Sequence, residues 1–183
     1  MQLRNSPSRY GAVSLFLHWG VALAVFGMFA LGLWMVGLGY YDPWRKAAPD
    51  LHKSIGLVLF FFMLLRAIWR VVSPPPPPTP NQGKPTRVAA VAVHMFLYLD
   101  LFLVMITGYL ISTADGVGIS VFGWFQIPAA FSGIENQAER AGDIHLYLAW
   151  ALVVFSVLHG LAALKHHFVD RDATLVRMLG RRA

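Results

Sequence analysis

The sequence predicts an all-α membrane protein: a four-transmembrane-helix bundle with N and C termini cytoplasmic. Three observations lead there. Of its 183 residues, 57% are hydrophobic and only 13% charged. Four stretches, at about 12–37, 52–72, 89–112 and 143–165, are apolar and long enough to cross a hydrocarbon core of about 30 Å, which takes roughly 20 helical residues. Eleven of the fifteen Lys and Arg residues fall on one side of these spans, the side that the positive-inside rule places in the cytoplasm.

Helix one carries no Asp, Glu, Lys or Arg between Gly11 and Gly39. That run is too long for a signal-peptide apolar region of about 7–15 residues, so the helix is expected to be retained. Arg4 and Arg9 precede it on the inner side. The loop Gly39-Tyr40-Tyr41-Asp42-Pro43-Trp44 combines helix breakers with interfacial aromatics. Helix two opens at His52 and ends among Arg66 and Arg70. The next connection holds Pro74 to Pro78, Pro80 and Pro85, which favours a stiff polyproline spacer, with Lys84 and Arg87 beyond it. A linker between independent domains is the competing reading. Neither half could bury two apolar helices by itself, so residues 1–183 read as one domain.

The third connection, about 113–142, is the longest and is net acidic through Asp115, Glu135, Glu139 and Asp143. Its Phe122, Trp124, Phe125, Pro128 and Phe131 place it in the outer interface, roofing the bundle. Asp143 is expected to N-cap helix four. Past that helix, Asp172 to Leu179 reads as a short amphipathic helix on the cytoplasmic face, stopped by Gly180. Lys165, Arg171, Arg177, Arg181 and Arg182 complete the inner basic flank. The outer side has only Arg45, Lys46, Lys53 and Arg140. This asymmetry accounts for the net charge of +6, with acidic lipid headgroups as sufficient partners and no need for nucleic acid.

The chain has no cysteine. Disulfides, thiolate–zinc sites, iron–sulfur clusters and cysteine-linked haem are excluded. Any haem here must be held non-covalently, by side chains such as His or Met.

His145 and His159 lie in the charge-free run His145–Leu164. Fourteen residues of helix span about 21 Å and nearly four whole turns, so both imidazoles leave one face. Ionisable groups at two depths of a span usually have a function, and these suit two stacked metal centres, most naturally two haems. With the N-terminus inside, His18 and His159 lie about two turns from the inner surface, whereas His52 and His145 open their helices at the outer one. The simplest solution is two bis-histidine sites, His18/His159 and His52/His145. His94, also on the inner side, is an alternative inner ligand or a lining residue of a substrate site. His166 and His167 read as a solvated interfacial pair. For any single histidine, a hydrogen-bonded packing role competes; four at two matched depths favour ligation. Zinc is the metal alternative, but its usual tetrahedral site needs four close ligands, and these come in separated pairs. Gly20, Gly56 and Gly160, beside the histidines, leave room for a flat macrocycle or for close helix packing.

The strings Leu17-His18-Trp19, His52-Lys53-Ser54-Ile55-Gly56, Leu158-His159-Gly160, Lys165-His166-His167-Phe168 and Asp172 to Met178 resemble the bacterial di-haem cytochrome b561 family. The resemblance covers nearly the whole chain. Its best-understood member type is the superoxide oxidase, a superoxide:ubiquinone oxidoreductase of the bacterial inner membrane. It implies two non-covalent b-type haems ligated by His18, His52, His145 and His159, and a quinone contact at His166. Asp100 departs from the pattern, standing where an apolar residue is expected.

Several charges suit that chemistry. Lys53, with Arg45 and Lys46 upstream, would bind haem propionates or draw an anionic reductant such as superoxide toward the outer haem; interfacial snorkelling is the plain alternative. Arg66 and Arg70 would hold the inner propionates, or lipid phosphate. Asp100, about 18 Å into helix three, is expected to be protonated, paired, or bonded to Tyr98 or a neighbouring hydroxyl, with a proton-relay role open. The resulting reading is a transmembrane electron-transfer protein that oxidises superoxide, or another small reductant, and reduces ubiquinone. The alternatives are a haem-bearing anchor subunit of a dehydrogenase or hydrogenase, and a cofactor-free structural membrane protein.

Overall fold

A computed structural model describes residues 2–79 and 82–181, so Pro80 and Arg182 lie outside the described residues. Four long helices, α1 (Ala12–Val36), α2 (Trp44–Val72), α3 (Lys84–Ser112) and α4 (Gln137–Phe168), are each long and apolar enough to cross a membrane. Between α3 and α4 stands an antiparallel hairpin, β1 (Ile119–Val121) and β2 (Phe125–Ile127), and a short helix α5 (Thr174–Met178) follows.

The four spans are where the apolar stretches predict them, but three helices begin earlier. Helix α2 starts at Trp44 because the Asp42 carboxylate accepts the Trp44 backbone N–H at 2.8 Å, an N-terminal cap that carries the chain through Pro49. Helix α3 starts at Lys84, with Pro85 in the first turn, where its missing N–H has no partner to lose. Helix α4 starts at Gln137, so Asp143 lies inside it and does not cap it, contrary to the expectation. The Gln137 amide group fixes that start instead, donating from Nε2 to the carbonyls of Leu110 (2.9 Å) and Phe131 (3.2 Å).

The hairpin was not foreseen. Phe122 and Gly123 both take positive φ, and the Trp124 N–H reaches the Val121 carbonyl at 2.9 Å, the tight turn that suits two antiparallel strands. Helix α5 is shorter than the 172–179 expected: Asp172 stands outside it and accepts the Thr174 N–H at 2.8 Å. Its end is where Gly180 predicts. Gly180 has φ 76°, its N–H bonds the Arg177 carbonyl, and the Arg181 N–H bonds that of Val176, the paired bonds of a Schellman stop.

The chain forms two compact units, and each takes a segment of all four long helices. The first comprises Met1–Ala22, Phe62–Tyr98 and Val154–Ala183; the second comprises Leu23–Phe61 and Leu99–Val153. Ten of the eleven basic residues read as inner, all but Arg182, fall in the described segments of the first, and Arg45, Lys46, Lys53 and Arg140 in those of the second.

In the first unit, Leu15, Leu17, Val21 and Met63 are buried. The proline-rich connection is tied down at several points. Asn5 donates from Nδ2 to the carbonyls of Ser73 (2.7 Å) and Pro74 (3.1 Å), and Arg177 donates to the Pro77 carbonyl at 2.9 Å. Trp19 fastens α5 to α1 through a 2.8 Å bond from Nε1 to the Met178 carbonyl.

In the second unit, Phe29 meets Trp150 and Phe60 meets Phe102 edge to face. Leu59, Leu101 and Leu152 are buried. Ser54 on α2 holds the hairpin by accepting the Phe122 N–H at 3.1 Å. Many large apolar side chains point outward, Leu23, Val71 and Val91 among them, as expected where lipid is the solvent and helices associate through packing and polar contacts.

Candidate functional site

The second unit brings His52 of α2 and His145 of α4 together, with ring centroids 6.3 Å apart and planes at 70°. His145 is held by α3. Its Nδ1 lies 2.8 Å from the Val104 carbonyl oxygen and 3.2 Å from Thr107 Oγ1. A carbonyl only accepts, so Nδ1 carries the ring proton and Nε2 keeps its lone pair for a metal. Such an outer hydrogen bond orients metal-ligating histidines. Gly108 makes the approach possible, since a Cβ there would stand 3.1 Å from His145 Cε1. Gly32 of α1 does the same for His52 at 3.4 Å. The His52 Nδ1 is buried and has no hydrogen-bond partner.

The first unit holds a second pair. His18 of α1 and His159 of α4 have ring centroids 6.3 Å apart and planes at 72°. His94 of α3 also meets His159, at 5.2 Å and 67°. Two imidazoles bound to one metal from opposite sides place their ring centres about 6.3 Å apart, given metal–nitrogen bonds of about 2.0–2.1 Å and about 1.1 Å from nitrogen to ring centre. Both His52/His145 and His18/His159 have that spacing, whereas His94/His159 is roughly 1 Å too close. The donor sets therefore fit a flat metal macrocycle held from both faces.

Arg66 modifies the His18/His159 pair. Its guanidinium donates to Tyr98 Oη at 2.9 Å, to the Leu17 carbonyl at 3.2 Å and to His18 Nδ1 at 2.9 Å. Arginine has no acceptor, so a neutral His18 in this arrangement carries its proton on Nε2. Ligation through Nε2 requires Arg66 to release His18, which leaves guanidinium donors for an anionic group. Arg70 stacks over the Tyr98 ring, 5.9 Å from its centroid.

One sequence expectation needs correction here, and another is narrowed. His166 is not a solvated residue. Its side chain is 15% exposed, and Nδ1 lies 2.9 Å from both the Asp170 and Asp172 carboxylates, off the N–H axis of either. Asp172 itself is pulled in two directions. Burial pushes its carboxyl up, but hydrogen bonds from Thr174 and Gln82 and the nearby His166 bring it below the usual carboxylate range. Asp100, in turn, has no bond to Tyr98, whose hydroxyl serves Arg66; both its carboxylate oxygens are buried without a hydrogen-bond partner.

Arg45, Lys46 and Lys53 line one open surface pocket of the second unit, together with Tyr40, Asp42, Pro43, Pro49 and Asp50. Their charge is partly offset there. Lys53 pairs with Asp50 at 2.8 Å, and Arg45 donates to the Leu38 carbonyl.

Gly32, Gly108, Val104 and Thr107 were missed by sequence reasoning, which pointed to Gly20, Gly56 and Gly160. A Cβ at Gly20 or Gly160 would touch nothing within 4 Å, and one at Gly56 would meet Met28. The glycines that admit the rings come from other helices. The Thr107-Gly108 pair near the C-terminal end of helix three was the available signal.

Residues 9–181 match the family model of prokaryotic cytochrome b561. The chain belongs to the prokaryotic cytochrome b561 family. It is 57% identical over 181 residues to a protein named cytochrome b561 homolog 2 of Escherichia coli K12, covering 99% of this chain and 96% of that one. It is 29% identical over 172 residues to a probable superoxide oxidase CybB of Yersinia pestis, covering 93% and 96%. A probable Ni/Fe-hydrogenase B-type cytochrome subunit of Rhodobacter capsulatus is 27% identical over 96 residues, half of this chain and 34% of that one. This cytochrome b561-family chain is an electron-transfer membrane protein of oxidoreductase type, and the family implies b-type haem, redox partners and a multi-pass membrane location.

Proposed function

We propose that this chain is a single-domain, inner-membrane di-haem carrier that oxidises superoxide on the periplasmic side and reduces ubiquinone. The observation that carries the reading is the pair of matched imidazole sites, His52/His145 and His18/His159, each with ring centroids 6.3 Å apart. The family match supports b-type haem in them, and the probable superoxide oxidase supports the donor. Two b haems supply one-electron storage and transfer, which no side chain here provides.

The residues do the rest. His145, aligned by the Val104 carbonyl, and His52, admitted by Gly32, clamp the outer group. His52 and His145 would hold that group, which would supply one-electron chemistry without a substrate bound to the metal. Arg45, Lys46 and Lys53 draw a small anion to that side, against Asp42 and Asp50. His18 and His159 clamp the inner group, with His94 beside them. Arg66 and Arg70 would hold its acidic groups. His166, gripped by Asp170 and Asp172, presents a ring proton toward a quinone oxygen. Two superoxide anions each give up one electron and leave as dioxygen; ubiquinone takes both electrons and two protons and leaves as ubiquinol.

The decisive experiment is stopped-flow reduction of the purified protein by superoxide, with and without ubiquinone. The reading expects rapid haem reduction followed by quinone-dependent reoxidation. Haems left oxidised by superoxide but reduced by a hydrogenase or dehydrogenase partner would support the second reading, an electron-transfer subunit, which the half-chain similarity to a hydrogenase cytochrome subunit favours.

A further inference from the structure

Asp100 is the one carboxylic acid in the middle of a membrane-spanning helix, and nothing in the proposed electron path uses it. Its residue surface is 3% exposed, and neither oxygen has a hydrogen-bond partner. It therefore faces protein, not lipid, and is not a snorkelling side chain.

Its place on α3 gives it a neighbour of interest. Positions 100, 104, 107 and 108 form one stripe of an α-helix. Val104 accepts the His145 hydrogen bond, Thr107 Oγ1 lies 3.2 Å from the same nitrogen, and Gly108 admits the ring. Asp100 thus lies on the face of α3 that carries His145, one turn and about 6 Å of rise from the carbonyl that holds it.

No other titratable group shares that level within the unit. Levels are set by the contacts Phe60 to Phe102, Val104 to His145 and Phe29 to Trp150. Facing segments 23–36 of α1 and 55–61 of α2 carry no ionisable side chain, and residues 146–153 of α4 carry only Tyr147, which is exposed. On α3 itself the nearest are Tyr98, two residues before it, whose hydroxyl accepts from Arg66, and Tyr109, whose hydroxyl is bound to Pro128 and Ala130. Among the described residues no cation pairs with this carboxylate, Arg66 being bound to Tyr98, so a proton is what neutralises it. A negative charge added nearby strengthens that demand, because like charges in low-dielectric surroundings raise each other's proton affinity.

We propose that Asp100 is a redox-linked proton site, binding one proton when an electron reaches the haem held by His52 and His145 and releasing it when the electron leaves. The balance is simple. A one-electron reductant supplies the electron, the aqueous phase supplies the proton, and the Asp100 O–H bond forms on reduction and breaks on oxidation. This rests on the haem reading of that pair.

The test is potentiometric titration of each haem in the loaded protein across a neutral-to-alkaline pH series, combined with redox-difference infrared spectroscopy. The expected result is an outer-haem midpoint that falls as pH rises, with a slope approaching one proton per electron. Asp100→Asn should abolish the slope and Asp100→Glu should restore it. A carboxylic C=O band should appear on reduction and be missing in Asp100→Asn. His145→Ala identifies which haem is the outer one. A pH-independent outer midpoint in the native protein, a slope that survives in Asp100→Asn, or a slope carried by the haem that survives in His145→Ala overturns the proposal. A protein with no haem spectrum at all fails earlier, at the reading of the site.

Discussion

Gly108→Ala puts the His52/His145 site under a graded strain. A Cβ at position 108 would stand 3.1 Å from His145 Cε1 and 3.4 Å from Nδ1, where carbon contacts settle at about 3.5–4.0 Å. The ring must retreat by about 0.4–0.9 Å to recover that distance. The same movement stretches the 2.8 Å bond from Nδ1 to the Val104 carbonyl to about 3.2–3.7 Å, at or beyond the useful limit. Loss of an outer hydrogen bond to a metal-ligating histidine typically lowers metal affinity 10–100-fold, equivalent to about 1.4–2.8 kcal/mol. Thermal stability is a poor readout, because alanine improves an α-helix interior by about 1 kcal/mol over glycine and masks the strain. The assay is haem titration of the apoprotein followed by visible spectroscopy. One haem should bind 10–100-fold more weakly and the other normally. Gly32→Ala, whose Cβ would sit 3.4 Å from His52, should weaken binding only about threefold, being almost at ordinary contact. Unchanged binding of both haems in Gly108→Ala would refute the view that this glycine positions His145.

Replacing Arg45, Lys46 and Lys53 with Gln should slow reduction by an anionic donor about tenfold at low salt, the low end of electrostatic steering because Asp42 and Asp50 share the pocket. The difference should shrink as salt screens it; equal rates at low salt, or a deficit that ignores salt, would show that the three serve only the interface. Asp172 predicts an acid-sensitive C-terminal segment. Burial raises its carboxyl, but bonds from Thr174 and Gln82 and the His166 charge outweigh this, so the folded value lies below the unfolded one of about 3.9. Its stabilisation is present above that unfolded value and is lost as pH falls through the folded one. Hydrogen exchange at the Thr174 amide should then speed up roughly fivefold, the equivalent of about 1 kcal/mol for one hydrogen bond. Asp172→Ala should show the faster exchange already at neutral pH, and full protection in that variant would count against the bond.

The four spans were legible because apolar length is a property of the sequence alone. Their ends were not, because α2 and α4 continue as helix beyond the hydrocarbon thickness, through the polar turns at 44–51 and 137–142. The hairpin escaped notice because three-residue strands leave no periodic signal. Among the site residues, the histidines could be paired by depth, since helix rise converts residue number into distance. Their supports could not. Which glycine or carbonyl faces a ring depends on how each helix is rotated, and a helix such as α1, apolar on every side, carries no stripe from which to read rotation. For the same reason Gly20 and Gly160, chosen as neighbours in sequence, touch no side chain, while Gly32 and Gly108 meet the rings from across a helix interface. Asp170 and Asp172 enclose His166 because the chain folds back just past α4, at Arg171 with φ 52°, a reversal that no glycine or proline announces.

The central claim is that two matched histidine pairs hold two b haems. It is tested most directly by the reduced-minus-oxidised visible spectrum of the purified protein, with haem counted per chain in the native form, His145→Ala and His159→Ala. The account predicts two haems in the native protein and one in each variant, with a different haem surviving in each. A native protein without a haem α band, or either variant retaining both haems, would contradict it.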